Sequence, residues 1–125
     1  MDQIGNLITT IRNAEMVDHS TLTVRYSKTN LAILEILKET GYVSSFAEIT
    51  EGKKKDVAVT LPQPVEKHHY RRLSKPGRRL YTPADRIPTI LRGLGIVVIS
   101  TSKGLMIGKK AKKLGLGGEL LFEAY

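Results

Sequence analysis

Pro62 and Pro64, near the middle of the chain, constrain its fold more than any other feature. Each lacks the N–H that a central strand needs, and each blocks a helix interior, so no regular element runs through this stretch. Composition changes at the same place. Residues 1–62 hold seven Lys/Arg and eight Asp/Glu, whereas residues 63–125 hold thirteen and four, balances of −1 and +9 that make up the net +8. A chain of 125 residues divided there gives two small domains, expected at 1–64 and 65–125, with enough length for real cores.

Before the prolines, the apolar period announces the elements. Ile4, Leu7, Ile8, Ile11 and Ala14 recur at helical spacing, with Asp2 placed as the N-cap and Arg12, Asn13 and Glu15 partly on the wet side. Leu22, Val24 and Tyr26 then alternate with Thr21, Thr23 and Arg25, as in a half-buried strand. A second helix is predicted over about 29–40, with Gly41 at its left-handed C-terminal position. Strands at 42–50 and 56–61 flank a Glu51-Gly52-Lys53 turn. The order is α-β-α-β-β.

Beyond the prolines, Ser74-Lys75-Pro76-Gly77 is a turn in which Pro presets φ and Gly accepts a positive φ. A short strand is expected at 79–81, then a short helix opened by Asp85 and Pro88, carrying Ile87, Ile90, Leu91 and Leu94 and closed by Gly93 and Gly95. Ile96 to Ile99 has the length of a buried strand, and Ser100-Thr101-Ser102-Lys103-Gly104 reads as a loop before Leu105, Met106 and Ile107. Residues 109–114 predict a basic helical turn or two, and 120–124 a last strand. The fold class is α+β, with a C-terminal domain that is mostly β with one or two short helices.

Several functions drop out. The chain has no Cys, hence no disulfide scaffold, thiolate metal site or Cys nucleophile. Its longest apolar runs, 31–34 and 96–99, fall far short of a membrane span, and no basic-then-apolar leader follows Met1, so neither membrane nor secretion is expected. Gly104 to Lys110 misses the phosphate-loop spacing by one residue and lacks the hydroxyl after the Lys. Gly93-Leu94-Gly95 lacks the third glycine of a dinucleotide fingerprint. Ser100 and Lys103 match Ser-x-x-Lys, but neither the partner motifs nor a cavity for acyl chemistry is evident. Adjacent His68 and His69 would point to opposite faces of a strand and share no metal; exposure beside Arg71 and Arg72 is expected. No cofactor is called for.

The basic half and the 100–104 segment remain. An electropositive half attracts polyanions, and nucleic acid fits it better than a membrane, because no long amphipathic helix carries the cations. Small Ser and Thr hydroxyls can enter the wide, shallow minor groove of RNA, Lys103 can neutralise a phosphate, and Gly104 allows close approach.

The stretches Ile87-Pro-Thr-Ile-Leu-Arg-Gly-Leu-Gly95, Ile99-Ser-Thr-Ser-Lys-Gly104 and Lys113-Leu-Gly-Leu-Gly-Gly-Glu119 closely resemble the bacterial small-subunit ribosomal protein eight family. So do Ser74-Lys-Pro-Gly77 with Tyr81, and Ile11-Arg-Asn-Ala14 after a Thr, colinear over the whole chain. The resemblance implies a two-domain α+β fold, no catalysis, and binding to the central domain of small-subunit rRNA during platform assembly. It implies RNA contacts from Ser100, Thr101, Ser102, Lys103 and Gly104, with Tyr81, Gly118 and Glu119 at the same stem and Lys75 and Arg79 beside it. Thr9, Arg12, Asn13, Ser27 and Lys28 match positions that meet further rRNA. It also implies contacts with small-subunit proteins five and twelve, a free monomer, a cytoplasmic, ribosome-associated location, and repression of its own operon's mRNA. Arg78, the Ile107-Gly-Lys-Lys110 stretch and Tyr125 depart from the family's usual residues; the extra cations favour sequence-independent binding.

Overall fold

The computed structural model describes residues 3–125, so the Asp2 cap lies outside the described residues. Two compact units result, Gln3–Lys67 and His68–Tyr125.

The first unit runs α1 (Gln3–Met16), β1 (Thr21–Arg25), α2 (Lys28–Glu39), β2 (Ser45–Glu51) and β3 (Lys54–Thr60). Its antiparallel sheet has the order β1-β3-β2. Val24, Val57 and Val59 point to the buried face, while Thr21, Thr23 and Arg25 point out, as alternation requires. Helix α1 packs on β1 and α2, and Leu7, Ile8, Ile11, Ile33, Leu34 and Leu37 supply the helical side of the core. Ser27 caps α2 by accepting the Asn30 N–H at 3.0 Å. Gly41 takes a positive φ of 90° just past the helix.

Glu15 is not on the wet side: it is only 2% exposed. Its position continues the stripe of Ile8 and Ile11 at helical spacing, which outweighs its charge. The Tyr42 hydroxyl is raised above its ordinary pKa of 10.0, first by burial and then by the negative charge of Glu15. A raised folded-state pKa means the neutral phenol supports the fold. That support is complete below about pH 10, the pKa of an unfolded Tyr, and is lost as pH rises through the folded value. In chemical denaturation across this range, Tyr42→Phe is expected to flatten the alkaline decline seen in the wild type; parallel curves would contradict the coupling.

The second unit contains β4 (Tyr70–Arg72), β5 (Tyr81–Thr82), β6 (Ile96–Thr101), β7 (Gly104–Ile107), α3 (Gly108–Leu114) and β8 (Gly118–Ala124). The sheet order is β4-β8-β6-β7, with β5 also pairing to β8. Helix α3 packs on β6 and β7, over a core of Ile87, Val97, Ile99, Met106 and Ala111.

The helix expected from Asp85 to Leu94 does not form. Residues Ala84–Arg86 and Leu91–Gly93 make single 3-10 turns, and Ile87 between them is extended (φ −66°, ψ 126°). Pro88 accounts for this, since the residue before a proline is pushed out of the helical region. Leu91 and Arg92 both have positive φ (47° and 56°), and Leu94 is 85% exposed while Ile87 is buried. The helical spacing of these apolar residues was coincidental. Two smaller corrections concern turns and strands. The strand expected at 79–81 is Tyr81–Thr82, and Gly77 is not among the positive-φ glycines, so its turn closes without a left-handed residue. His68 is partly buried rather than exposed, and the exposed His69 ring stacks on Tyr125 at 5.0 Å.

Candidate nucleic-acid interface

One end of the second sheet is assembled by a buried serine. Ser74 accepts the Leu80 N–H at 2.8 Å through Oγ, and its hydroxyl donates to the Leu80 carbonyl at 3.3 Å. Between these residues, Lys75 and Arg78 exchange backbone hydrogen bonds of 2.9 Å in both directions. The clamp fixes where the chain leaves the turn and hence where Arg79 and Tyr81 project; Lys75 is exposed in the turn itself. Ser74→Ala leaves the Leu80 N–H without that acceptor and is expected to cost about 1–3 kcal/mol. Chemical denaturation measures the loss; a change below about 0.5 kcal/mol would mean that water replaces the hydroxyl.

From that fixed exit, a row of residues crosses the sheet. Tyr81 of β5 pairs with Glu119 of β8, Glu119 with Ser100 of β6, and Ser100 with Leu105 of β7. Paired residues share a face, so Tyr81, Glu119 and Ser100 lie side by side. A register shift at Val98/Ile99 sets the last part of this alignment, as bulges do beside functional sites. Tyr81 is 72% exposed. Arg79 Nη1 lies 3.2 Å from Glu119 Oε2, which holds the carboxylate in place while leaving its second oxygen able to accept a hydrogen bond.

The segment expected as a loop at 100–104 is instead a tight hairpin: Ser100 and Thr101 are in β6, Ser102 and Lys103 form the turn, and Gly104 begins β7. Thr101 is spent inside it. Its Oγ1 donates to the Gly104 carbonyl at 2.9 Å and accepts the Lys103 N–H at 3.1 Å. Ser102 and Lys103 are exposed at the tip. Gly104 has φ 107°, where a side chain would be strained, so its role is conformational. Gly118 has a different role: a Cβ there would collide with the Ser100 carbonyl oxygen and lie 3.2 Å from Thr101 Cα. Its missing side chain lets β8 close on β6 directly beneath the tip.

The second unit as a whole carries a large excess of positive charge. Residues 68–125 contain twelve Lys/Arg and three Asp/Glu, and Glu119 and Glu123 are each paired with an arginine, Arg79 and Arg71. Lys109, Lys110, Lys112 and Lys113 on α3 make no ion pair among the described residues. In the first unit, Thr9, Arg12, Asn13 and Lys28 are exposed, while Ser27 is occupied as a helix cap. The structure therefore joins Tyr81, Arg79, Gly118, Glu119 and 100–104 at one place. Lys75 lies outside the row, and the five N-terminal residues belong to the other unit. Sequence reasoning missed the Ser74 clamp, whose only sequence trace is a Ser before a Lys-Pro-Gly turn.

Hydroxyls on a rigid hairpin, an oriented carboxylate and an exposed Tyr, in a unit rich in unpaired lysines, are groups of the kind that meet nucleic acid. The model of the family described as ribosomal protein S8 matches residues 2–125. The small ribosomal subunit protein uS8c of Phaeodactylum tricornutum is 44% identical, over 96% of this chain and 95% of its own length. The uS8 proteins of Caldanaerobacter subterraneus and Paracidovorax citrulli are 43% and 40% identical, each over 96% of this chain and 94% of their own lengths. The chain belongs to the ribosomal protein S8 family. It is a ribosome-associated structural protein of the small subunit that binds small-subunit rRNA, not an enzyme.

Proposed function

We propose that the chain binds the central domain of small-subunit rRNA in the cytoplasm and helps to organise the platform, with the second unit gripping an irregular stem. The aligned row of Tyr81, Glu119 and Ser100 beneath the 102–103 tip carries this reading. In a shallow minor groove, Ser100 and Ser102 reach 2′-hydroxyls and base edges, and Lys103 reaches a phosphate. The Glu119 carboxylate accepts from an amino group or a 2′-OH while Arg79 offsets its charge against the backbone. Tyr81 offers an exposed ring for packing. Thr9, Arg12, Asn13, Ser27 and Lys28 meet further rRNA from the first unit. Proteins five and twelve are its neighbours in the subunit, and the free protein is a monomer. The same site recognises a stem in its own operon's mRNA and represses translation.

A salt titration against a central-domain stem and a scrambled duplex of equal length tests this reading. Retention of the stem at physiological salt, with loss of the duplex, is the expected result. Parallel loss of both would reduce the second unit to a polycation, because phosphate contacts alone do not distinguish sequences. Competition by the operon stem should match the rRNA stem if repression uses the same site; no competition would remove repression.

A further inference from the structure

Pro88 keeps residues 84–94 from winding into one helix, and the chain instead passes through three successive positive-φ residues, Leu91 (47°), Arg92 (56°) and Gly93 (92°). Two of these carry side chains, and such strain persists only where surrounding contacts hold it. Two glycines fix the walls on either side. A Cβ at Gly95 would lie 2.6 Å from the Ala124 carbonyl oxygen and 2.7 Å from Ile90 Cγ2, and one at Gly108 would run into Val97 Cγ1 and Ile87 Cγ2. A groove of about 490 Å³ is lined by this segment, the first residues of β6 and one face of α3, a volume within the range of small-ligand sites. Ile87, Ile90, Ile96 and Val97 make it apolar, and neither an aromatic ring nor a carboxylate lines it. Its charge lies on one wall. Lys109, Lys112 and Lys113 recur at i, i+3 and i+4 along α3, and all three line the groove. None makes an ion pair among the described residues. Like charges at that spacing repel, and Lys109 stands in the first turn, where a helix dipole disfavours a cation. Three unpaired cations beside an apolar floor are complementary to an apolar body that ends in an anion.

We propose that this groove binds a small amphiphilic carboxylate, with its chain along Ile90 and Ile96 over Ile87 and Val97, and its carboxylate among Lys109, Lys112 and Lys113. Burial of the chain supplies most of the affinity, and the lysines select the charge of the head group. A nucleic acid fits poorly. The groove has no aromatic side chain on which a base could stack, and Thr89 is its only neutral hydrogen-bonding side chain. A sugar–phosphate backbone would meet the lysines and leave the apolar floor uncovered. The site is also separate from the hairpin: none of its lining residues belongs to 100–104 or to the row of Tyr81, Glu119 and Ser100. It therefore does not depend on the rRNA reading above. A net charge for the second unit hides the site, because it does not separate lysines that face an apolar groove from cations elsewhere.

The test is an NMR titration of the full chain with sodium decanoate below its micellar concentration, beside acetate and decyltrimethylammonium. Decanoate is expected to give saturable shifts at amides of residues 87–97 and 107–113. Acetate has the head without the chain, and decyltrimethylammonium has the chain with the opposite charge; neither should saturate those amides over the same concentrations. In the double variant Lys112→Gln/Lys113→Gln, affinity for decanoate should fall about fivefold or more, the worth of two exposed ion pairs. Both side chains are exposed, and an unchanged spectrum elsewhere verifies folding. The inference is overturned if decanoate leaves these amides silent, if the ammonium probe binds them as tightly, or if the double variant binds decanoate as well as the wild type. A short peptide of alternating Leu and Glu that binds the same amides more tightly than decanoate would also overturn it, assigning the groove to an acidic segment of a partner protein.

Discussion

Gly118→Ala is expected to destabilise the second unit by about 3 kcal/mol and to lower its melting temperature by roughly 12–24 °C. The added Cβ would run into the Ser100 carbonyl oxygen, with the Ser100 carbonyl carbon at 2.9 Å and Thr101 Cα at 3.2 Å. These are backbone atoms of the neighbouring strand, so no rotamer change relieves the clash. Relief requires β6 and β8 to separate, and the separation falls where Ser100 pairs with Glu119. Loss of stability and loss of stem binding should therefore appear together. Gly77→Ala is the matched control: a Cβ there meets nothing within 4 Å, and its φ is not positive. It should melt at or slightly above the wild-type temperature, since a compatible Ala restricts the unfolded chain. Calorimetry on the three proteins decides the matter. A Gly118→Ala variant as stable as the control would mean that the strands do not need this close approach.

The elements that could be read from sequence are those in which the apolar period and the end signals agree. Helix α2 has a Ser before it, a broad apolar face and Gly41 after it, and its bounds differ from expectation by one residue at each end. Strand β1 alternates cleanly, and the β2–β3 hairpin turns at the predicted glycine. The segment 84–94 failed because spacing and backbone chemistry disagreed there. Ile87, Ile90, Leu91 and Leu94 mimic a helix, but Pro88 forces Ile87 to be extended, and the chain then passes through left-handed Leu91 and Arg92. Glu15 failed for the opposite reason. Its helical position places it in the core despite its charge.

The candidate site divides along similar lines. Which residues to consider at 100–104, 81 and 118–119 was legible through the resemblance. What each one does depends on contacts between residues far apart in sequence, which spacing cannot report. Arg79 reaching Glu119, and Tyr81 brought beside Ser100 through Glu119, are of this kind. Even within five consecutive residues, local bonding separates side chains that composition treats alike. Thr101 and Ser102 are both small and hydroxylated, yet one closes the turn and the other faces outward.

That difference leads to opposite expectations for two conservative variants. Ser102→Ala removes an exposed hydroxyl that the hairpin does not use. It should leave the fold unchanged and weaken the specific stem by about 1–3 kcal/mol, roughly 5- to 150-fold, with little effect on a scrambled duplex. Thr101→Val keeps the shape of its side chain but removes the acceptor for the Lys103 N–H and the donor to the Gly104 carbonyl. It should loosen the turn itself, raising amide exchange at Lys103, and weaken stem and duplex together because Lys103 loses its fixed position. Exchange at Lys103 therefore separates the two mechanisms before any RNA is added. Fast exchange in Ser102→Ala would show that this hydroxyl supports the hairpin, and an equal loss on both RNAs would show that it contacts no feature peculiar to the stem. If Ser102→Ala instead keeps the wild-type exchange and loses only the stem, discrimination resides in the one tip hydroxyl that the hairpin leaves free.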